Sequence, residues 1–163
     1  MSDLHTLYQT DYAAWAKRHV ELLRARRFAE LDIEHLLEEL SDMGKSERRE
    51  LESRLLILIA HLLKWEYQRH TLAERWREFK GDSWRTTIVE QRKQLTVLLR
   101  HSPGLKSVLQ ETVQTTYPDA VDLASNETGL ASATFPDQCS YRTEQLLDSD
   151  FYPAPVDSRQ DHL

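Results

Sequence analysis

The sequence predicts an all-α protein, a helical bundle around a long central helix at about residues 46–69 with an irregular C-terminal wrap. Three observations carry this. All five prolines lie after residue 102, and before that point only Gly44 and Gly81 interrupt the chain. A β-rich domain needs turn residues every ~8–12 positions, which the first hundred residues cannot supply. Apolar residues instead recur at steps of three and four through most of the chain.

Each helix is read from its own pattern. Tyr12, Trp15, Ala16, His19 and Leu23 form the stripe of a first helix over 11–25, capped by Thr10 or Asp11. Asp32 caps a second, with Ile33, Leu36, Leu37, Leu40 and Met43 on the face expected to be buried. Gly44 follows where a left-handed C-terminal cap belongs. Ser46 then opens the central helix, striped by Leu51, Leu55, Leu58, Leu62 and Trp65 and apolar all round between 55 and 63. Such a helix is expected to be buried on every side. Residues 70–82, with Trp76 and Phe79 among basic side chains, read as a short amphipathic helix or an excursion. Asp82 or Ser83 caps a fourth helix to Arg100. Ser102-Pro103 is a start signal for a fifth, in which Pro118 is expected to cause a kink or break and which Gly129 stops. Beyond Leu130 the pattern is extended, with one short helix over Thr143–Leu147.

A chain of 163 residues fits one domain, expected over 1–153, with a disordered polar tail over 154–163. One cysteine, Cys139, cannot form an internal disulfide, which points to a reducing, cytoplasmic compartment. The N-terminus carries no secretory pattern. The longest apolar run, Leu55–Ala60, is too short to span a bilayer, so no membrane association is expected. The net charge of −6 is unevenly placed. Residues 1–100 hold 18 basic and 17 acidic residues, and residues 101–163 hold 3 and 10. That distribution argues against a general nucleic-acid binder.

The chain resembles a bacterial family known as domain of unknown function 29. The N-terminal matches are Leu7-Tyr8 with Asp11 and Trp15; Leu22-Leu23-Arg24; Arg27-Phe28 with Glu30-Leu31-Asp32; and Glu38-Glu39-Leu40 with Met43-Gly44. They continue through Ser46-Glu47-Arg48-Arg49, His61-Leu62-Leu63-Lys64-Trp65, Ser83-Trp84-Arg85, Gln91-Arg92, Glu127-Thr128-Gly129-Leu130, Phe135-Pro136 and Cys139 with Tyr141. The resemblance implies an α-helical fold of this length and no activity. The chain departs from it in a longer link over 69–82, and in Cys139-Ser140-Tyr141 where the family has Cys-Pro-Tyr.

Arg54 and His61 are the foremost catalytic candidates. Seven residues apart on a helix, they share a face. They also resemble the Arg-x6-His signature of helical, metal-independent ribonucleases, in which Arg stabilises a phosphoryl transition state and His moves protons. The competing reading is structural: a partly buried histidine and an arginine paired with a carboxylate such as Glu39. Gln91, inside the stripe of the fourth helix with Arg92 at its edge, is expected to join a polar network to the central helix. Metal ligation is not expected, nor any cofactor. No histidine has a glutamate three residues before it, and the nearest echo, Asp32-x-x-His35, is read with His35 pointing away from the apolar stripe. Cys139 reads as a small, semi-buried hydrophobe.

Residues 69–100 carry eight basic residues against four acidic, with Trp76 and Trp84 interleaved. Phosphate contacts and base stacking require that mix, as does a solvated face whose basic stems cover tryptophan. The sequence therefore points first to a non-enzymatic helical module, antitoxin-like or accessory, that binds a protein partner or a second copy of itself. Glu39, Trp65, Trp84, Arg85, Gln91 and Arg92 are its candidate binding or polar-network residues. The alternatives are a ribonuclease using Arg54 and His61 and a nucleic-acid binder using 69–100.

Overall fold

A computed structural model describes residues 3–68 and 81–156. Most of the excursion expected over 70–82, with Trp76 and Phe79, lies outside the described residues, as do positions 157–163 of the expected tail. The described residues form an all-α bundle with no strand. Among them are six α-helices: α1 (Asp3–Thr10), α2 (Tyr12–Arg24), α3 (Ile33–Tyr67), α4 (Asp82–His101), α5 (Leu109–Thr128) and α6 (Thr143–Leu147). Short 3-10 turns occupy Phe28–Glu30, Pro103–Val108 and Ser132–Thr134. The chain divides into two compact units, Met1–Ser46 and Glu47–Leu163.

Two helices expected on either side of Gly44 are one. The helix α3 runs unbroken from Ile33 to Tyr67. Gly44 costs its interior only about 1 kcal/mol relative to alanine, too little to end a helix whose neighbours favour it. A helix that was not expected, α1, precedes the first predicted one; its Leu4, Leu7 and Tyr8 already stand at helical spacing.

In the first unit, α2 is capped as expected: the Asp11 carboxylate accepts from the Ala14 N–H at 3.0 Å. Its other end is closed by an αL residue, Arg26, at φ 56°. The Arg27 N–H reaches the Leu22 carbonyl at 2.9 Å and the Arg26 N–H the Leu23 carbonyl at 3.1 Å. This is a Schellman closure with arginine where glycine is usual, at a cost of about 1–2 kcal/mol for the left-handed backbone. It turns the chain toward Asp32 and the start of α3.

Here the expected inner face of the second predicted helix is corrected. Ile33, Leu37, Leu40 and Met43 are each more than half exposed, whereas His35 is buried. The reason is competition between faces of one helix. The Tyr8, Trp15 and His35 rings and the Asp32 and Glu39 carboxylates satisfy one another, and the side of α3 carrying them packs instead of the aliphatic side.

The second unit has a conventional core. Leu51, Leu55, Leu58, Ile59, Ala60, Leu62 and Leu63 of α3 are essentially inaccessible, and they pack with Ile88, Leu95, Val113, Tyr117, Ala120 and Leu146. Each such leucine contributes about 1.5–3 kcal/mol. Leu56 and Ile57 keep partial exposure, so α3 is not covered all round. The N-cap of α4 is Gly81 in the αL region, not Asp82 or Ser83. Pro103 starts the 3-10 turn rather than the α-helix that follows. Pro118 lies inside α5 without ending it. Gly129 caps α5 in the αL conformation and α6 spans Thr143–Leu147, both as the sequence predicts.

Candidate functional site

The first unit gathers most of its polar aromatic residues around the first turn of α3. The Asp32 carboxylate accepts from the Trp15 indole at 3.2 Å and from His35 Nδ1–H at 2.6 Å. The Asp32 backbone N–H donates to His19 Nε2 at 3.0 Å, so His19 must carry its proton on Nδ1, which donates to the Trp15 carbonyl at 2.8 Å. Burial pushes the Asp32 carboxyl up, and the bonds from His35 and Trp15 outweigh it and hold the group below its ordinary value. Tyr8 stacks on His35 at 3.9 Å between ring centres and meets Trp15 edge-on at 5.0 Å. Both Tyr8 and Tyr12 donate to Glu39, at 2.5 and 2.7 Å. Those two bonds lower the Glu39 carboxyl and raise the tyrosine hydroxyls.

Glu39 is therefore not the partner of Arg54. Arg54 approaches Glu50 at 3.8 Å and donates to Gln91 Oε1 at 3.4 Å. The Gln91 bond ties α4 to α3, the network expected of a polar residue inside that stripe. Seven residues along α3, His61 donates from Nδ1 to the Ile57 carbonyl at 2.8 Å, and its Nε2 lies 3.4 Å from the Lys64 ammonium. Burial lowers its pKa, opposed by the Ile57 bond and reinforced by Lys64. Lys64 itself is buried, pairs with Glu127, and lies 5.1 Å over the Trp84 ring. Arg54 and His61 thus share a face of α3 but engage different partners.

The rest of the candidate residues meet at Tyr152. Trp65 packs against its ring at 4.8 Å. Arg85 and Arg92 lie 5.6 and 5.4 Å over it. Arg92 is buried and donates to the carbonyls of Leu146 and Gln145 at 2.9 and 3.2 Å, fastening the C-terminal end of α6. Burial lowers its pKa. These residues hold the C-terminal wrap against the helices of the second unit. Cys139 is half-buried, its thiol pushed up by burial and weakly donating to the Tyr141 carbonyl at 3.7 Å.

His5, Asp32 and His35 escaped the sequence reading as a group. Each offers one donor atom, and the three donor atoms lie within 4.8 Å of one another. Beside them is a cavity of about 780 Å³, lined by His5, Asp32, Leu7, Arg18, Leu22 and Leu31 among others. The available signals were the helical spacing of Leu4, Leu7 and Tyr8, which puts His5 on a helix, and Asp32-x-x-His35 at the start of α3.

These features define the chain as an all-α protein whose first unit holds a histidine–carboxylate cluster and whose second holds a leucine-rich core. The profile of the family described as domain of unknown function DUF29 matches residues 7–152, and the chain belongs to that family. No curated protein and no solved structure matches it. Among the described residues no helix is long and apolar enough to cross a membrane.

Proposed function

We propose that this chain is a non-enzymatic helical module that acts by binding a protein partner through the aliphatic face of α3. The observation that carries the reading is the exposed row Ile33, Leu37, Leu40 and Met43. A stripe of large side chains at i, i+4 and i+7 is the surface that an amphipathic helix fills. Left in water it forgoes about 1.5–3 kcal/mol per side chain. Glu34 and Glu38, exposed on one flank of the stripe, favour a partner helix with basic residues beside its apolar face. A single cysteine with a raised thiol pKa suits a reducing, cytoplasmic setting.

The test compares the full chain with the double variant Leu37→Glu, Leu40→Glu. Proteins retained at native expression by the parent and lost with the variant are purified and titrated back. One-to-one binding to the parent, absent in the variant, supports the reading. Sedimentation showing that the parent is itself a dimer disrupted by the two substitutions overturns it in favour of a second copy. A large fall in the melting temperature of the variant overturns it too, because the stripe would then be packed within the chain.

A further inference from the structure

We propose that His5, Asp32 and His35 form a binding site for one divalent first-row transition-metal ion. The inference is independent of the partner-binding reading. It starts from the donor set. Two imidazoles and a carboxylate converge from α1 and the first turn of α3, with one donor atom of each inside a 4.8 Å group. A metal with bonds of about 2.0–2.2 Å draws such atoms together by small side-chain rotations. The His5 and His35 ring centres are already 4.3 Å apart.

A second observation is the state of the carboxylate. The Asp32 side chain is 9% exposed, and its ion-pair partner is His35, charged only when protonated. Buried carboxylates are paired or ligate a metal. Trp15 and His35 supply hydrogen bonds to Asp32 but no permanent charge.

The third observation is how the ligands are held. His35 is stacked under Tyr8, and its Nδ1 lies 2.6 Å from Asp32 Oδ2, so an ion held between the two takes the place of the Nδ1 proton. Trp15 in turn braces Asp32, and His19 holds the Asp32 backbone. His5 is the exposed member and lies on the cavity wall with Asp32. Three protein ligands beside a cavity leave positions for water or a small oxygen-donor ligand.

The chemistry selects the ion. Two nitrogen donors and one oxygen disfavour magnesium and calcium, which take oxygen donors, and suit zinc, cobalt or iron in the divalent state. No other grouping of three or more such residues occurs among the described residues.

The experiment uses the full chain, stripped with a chelator and titrated with zinc chloride and, separately, cobalt chloride. One zinc per chain is expected by calorimetry, with a raised melting temperature. Cobalt should give visible ligand-field absorption. His5→Ala, which removes an exposed side chain, should fold normally, weaken zinc at least tenfold and remove the cobalt spectrum. Asp32→Asn and His35→Ala should also weaken zinc and remove the cobalt spectrum, while the exposed His5→Ala keeps the test independent of folding. His101→Ala, an exposed histidine of the second unit, should change nothing. Absence of binding at micromolar metal overturns the proposal. So does binding that is unchanged in His5→Ala, because the ion would then lie elsewhere.

Discussion

His61 donates from Nδ1 to the Ile57 carbonyl, which commits Nε2 to its lone pair, and the Lys64 ammonium lies 3.4 Å from that atom. Burial and the neighbouring cation, against the Ile57 bond, hold its pKa below the ordinary value near 6.5. As pH falls, the unfolded chain takes up this proton before the folded chain does. The stabilising contribution of His61 is therefore complete above about pH 6.5 and is lost as pH drops through the lower folded value. The carboxylates lowered in the fold, Asp32 and Glu39, act in the same direction only at more acid pH. Urea midpoints at pH 7.5 and 5.5 should show a larger loss for the parent than for His61→Gln. Equal losses would mean that the imidazole is free to charge in the folded state. The neighbouring Arg54–Gln91 bond was foreseeable, since a glutamine inside an apolar stripe must be satisfied. The choice of Glu39 for Arg54 failed because two tyrosines, 27 and 31 residues away, take that carboxylate first.

At the scale of the element, α3 contains the clearest test of how a glycine is used. If Gly44 ended a helix in the left-handed region, alanine there would be strained and destabilising. Inside a continuous helix the sign reverses. A methyl group at Gly44 would meet nothing within 4 Å beyond its chain neighbours and the backbone of its own helical turn, and the residue is exposed. Gly44→Ala should therefore stabilise the protein by about 0.5–1 kcal/mol, read from chemical denaturation. A loss of stability would restore the two-helix reading. The caps show a similar division. Asp11 and Gly129 act where the sequence puts them, because each satisfies backbone groups within a few residues. Arg26 in the αL position was not legible, because nothing in its side chain favours that backbone over glycine or asparagine.

At the scale of the molecule, charge and burial bear on the nucleic-acid expectation for the basic segment. Arg92 is buried on the carbonyls of α6, Lys64 is paired with Glu127, and Arg85 lies over Tyr152. Among the described cations of 69–100, Arg92 is thus committed inside the second unit while Arg85, Lys93 and Arg100 are exposed, in a chain of net charge −6. Fluorescence polarisation with mixed-sequence DNA or RNA should show no binding tighter than about micromolar at physiological salt. Tight, salt-sensitive binding lost in a Trp84, Arg85 and Arg92 triple variant would reverse that conclusion. The sequence by itself determined the all-α class, the leucine core of α3 from 51 to 63 and the short α6, because each follows from local spacing and from scarce proline and glycine. Only the tertiary structure decided which face of the first turns of α3 is buried. Periodicity marks an apolar face without saying what covers it. Here hydrogen bonds and ring contacts from residues up to about thirty positions away bury the face of His35 and leave the aliphatic stripe in water. The same long-range contacts bring His5 to Asp32 and His35, and its distance from them in the chain hid the three as a group.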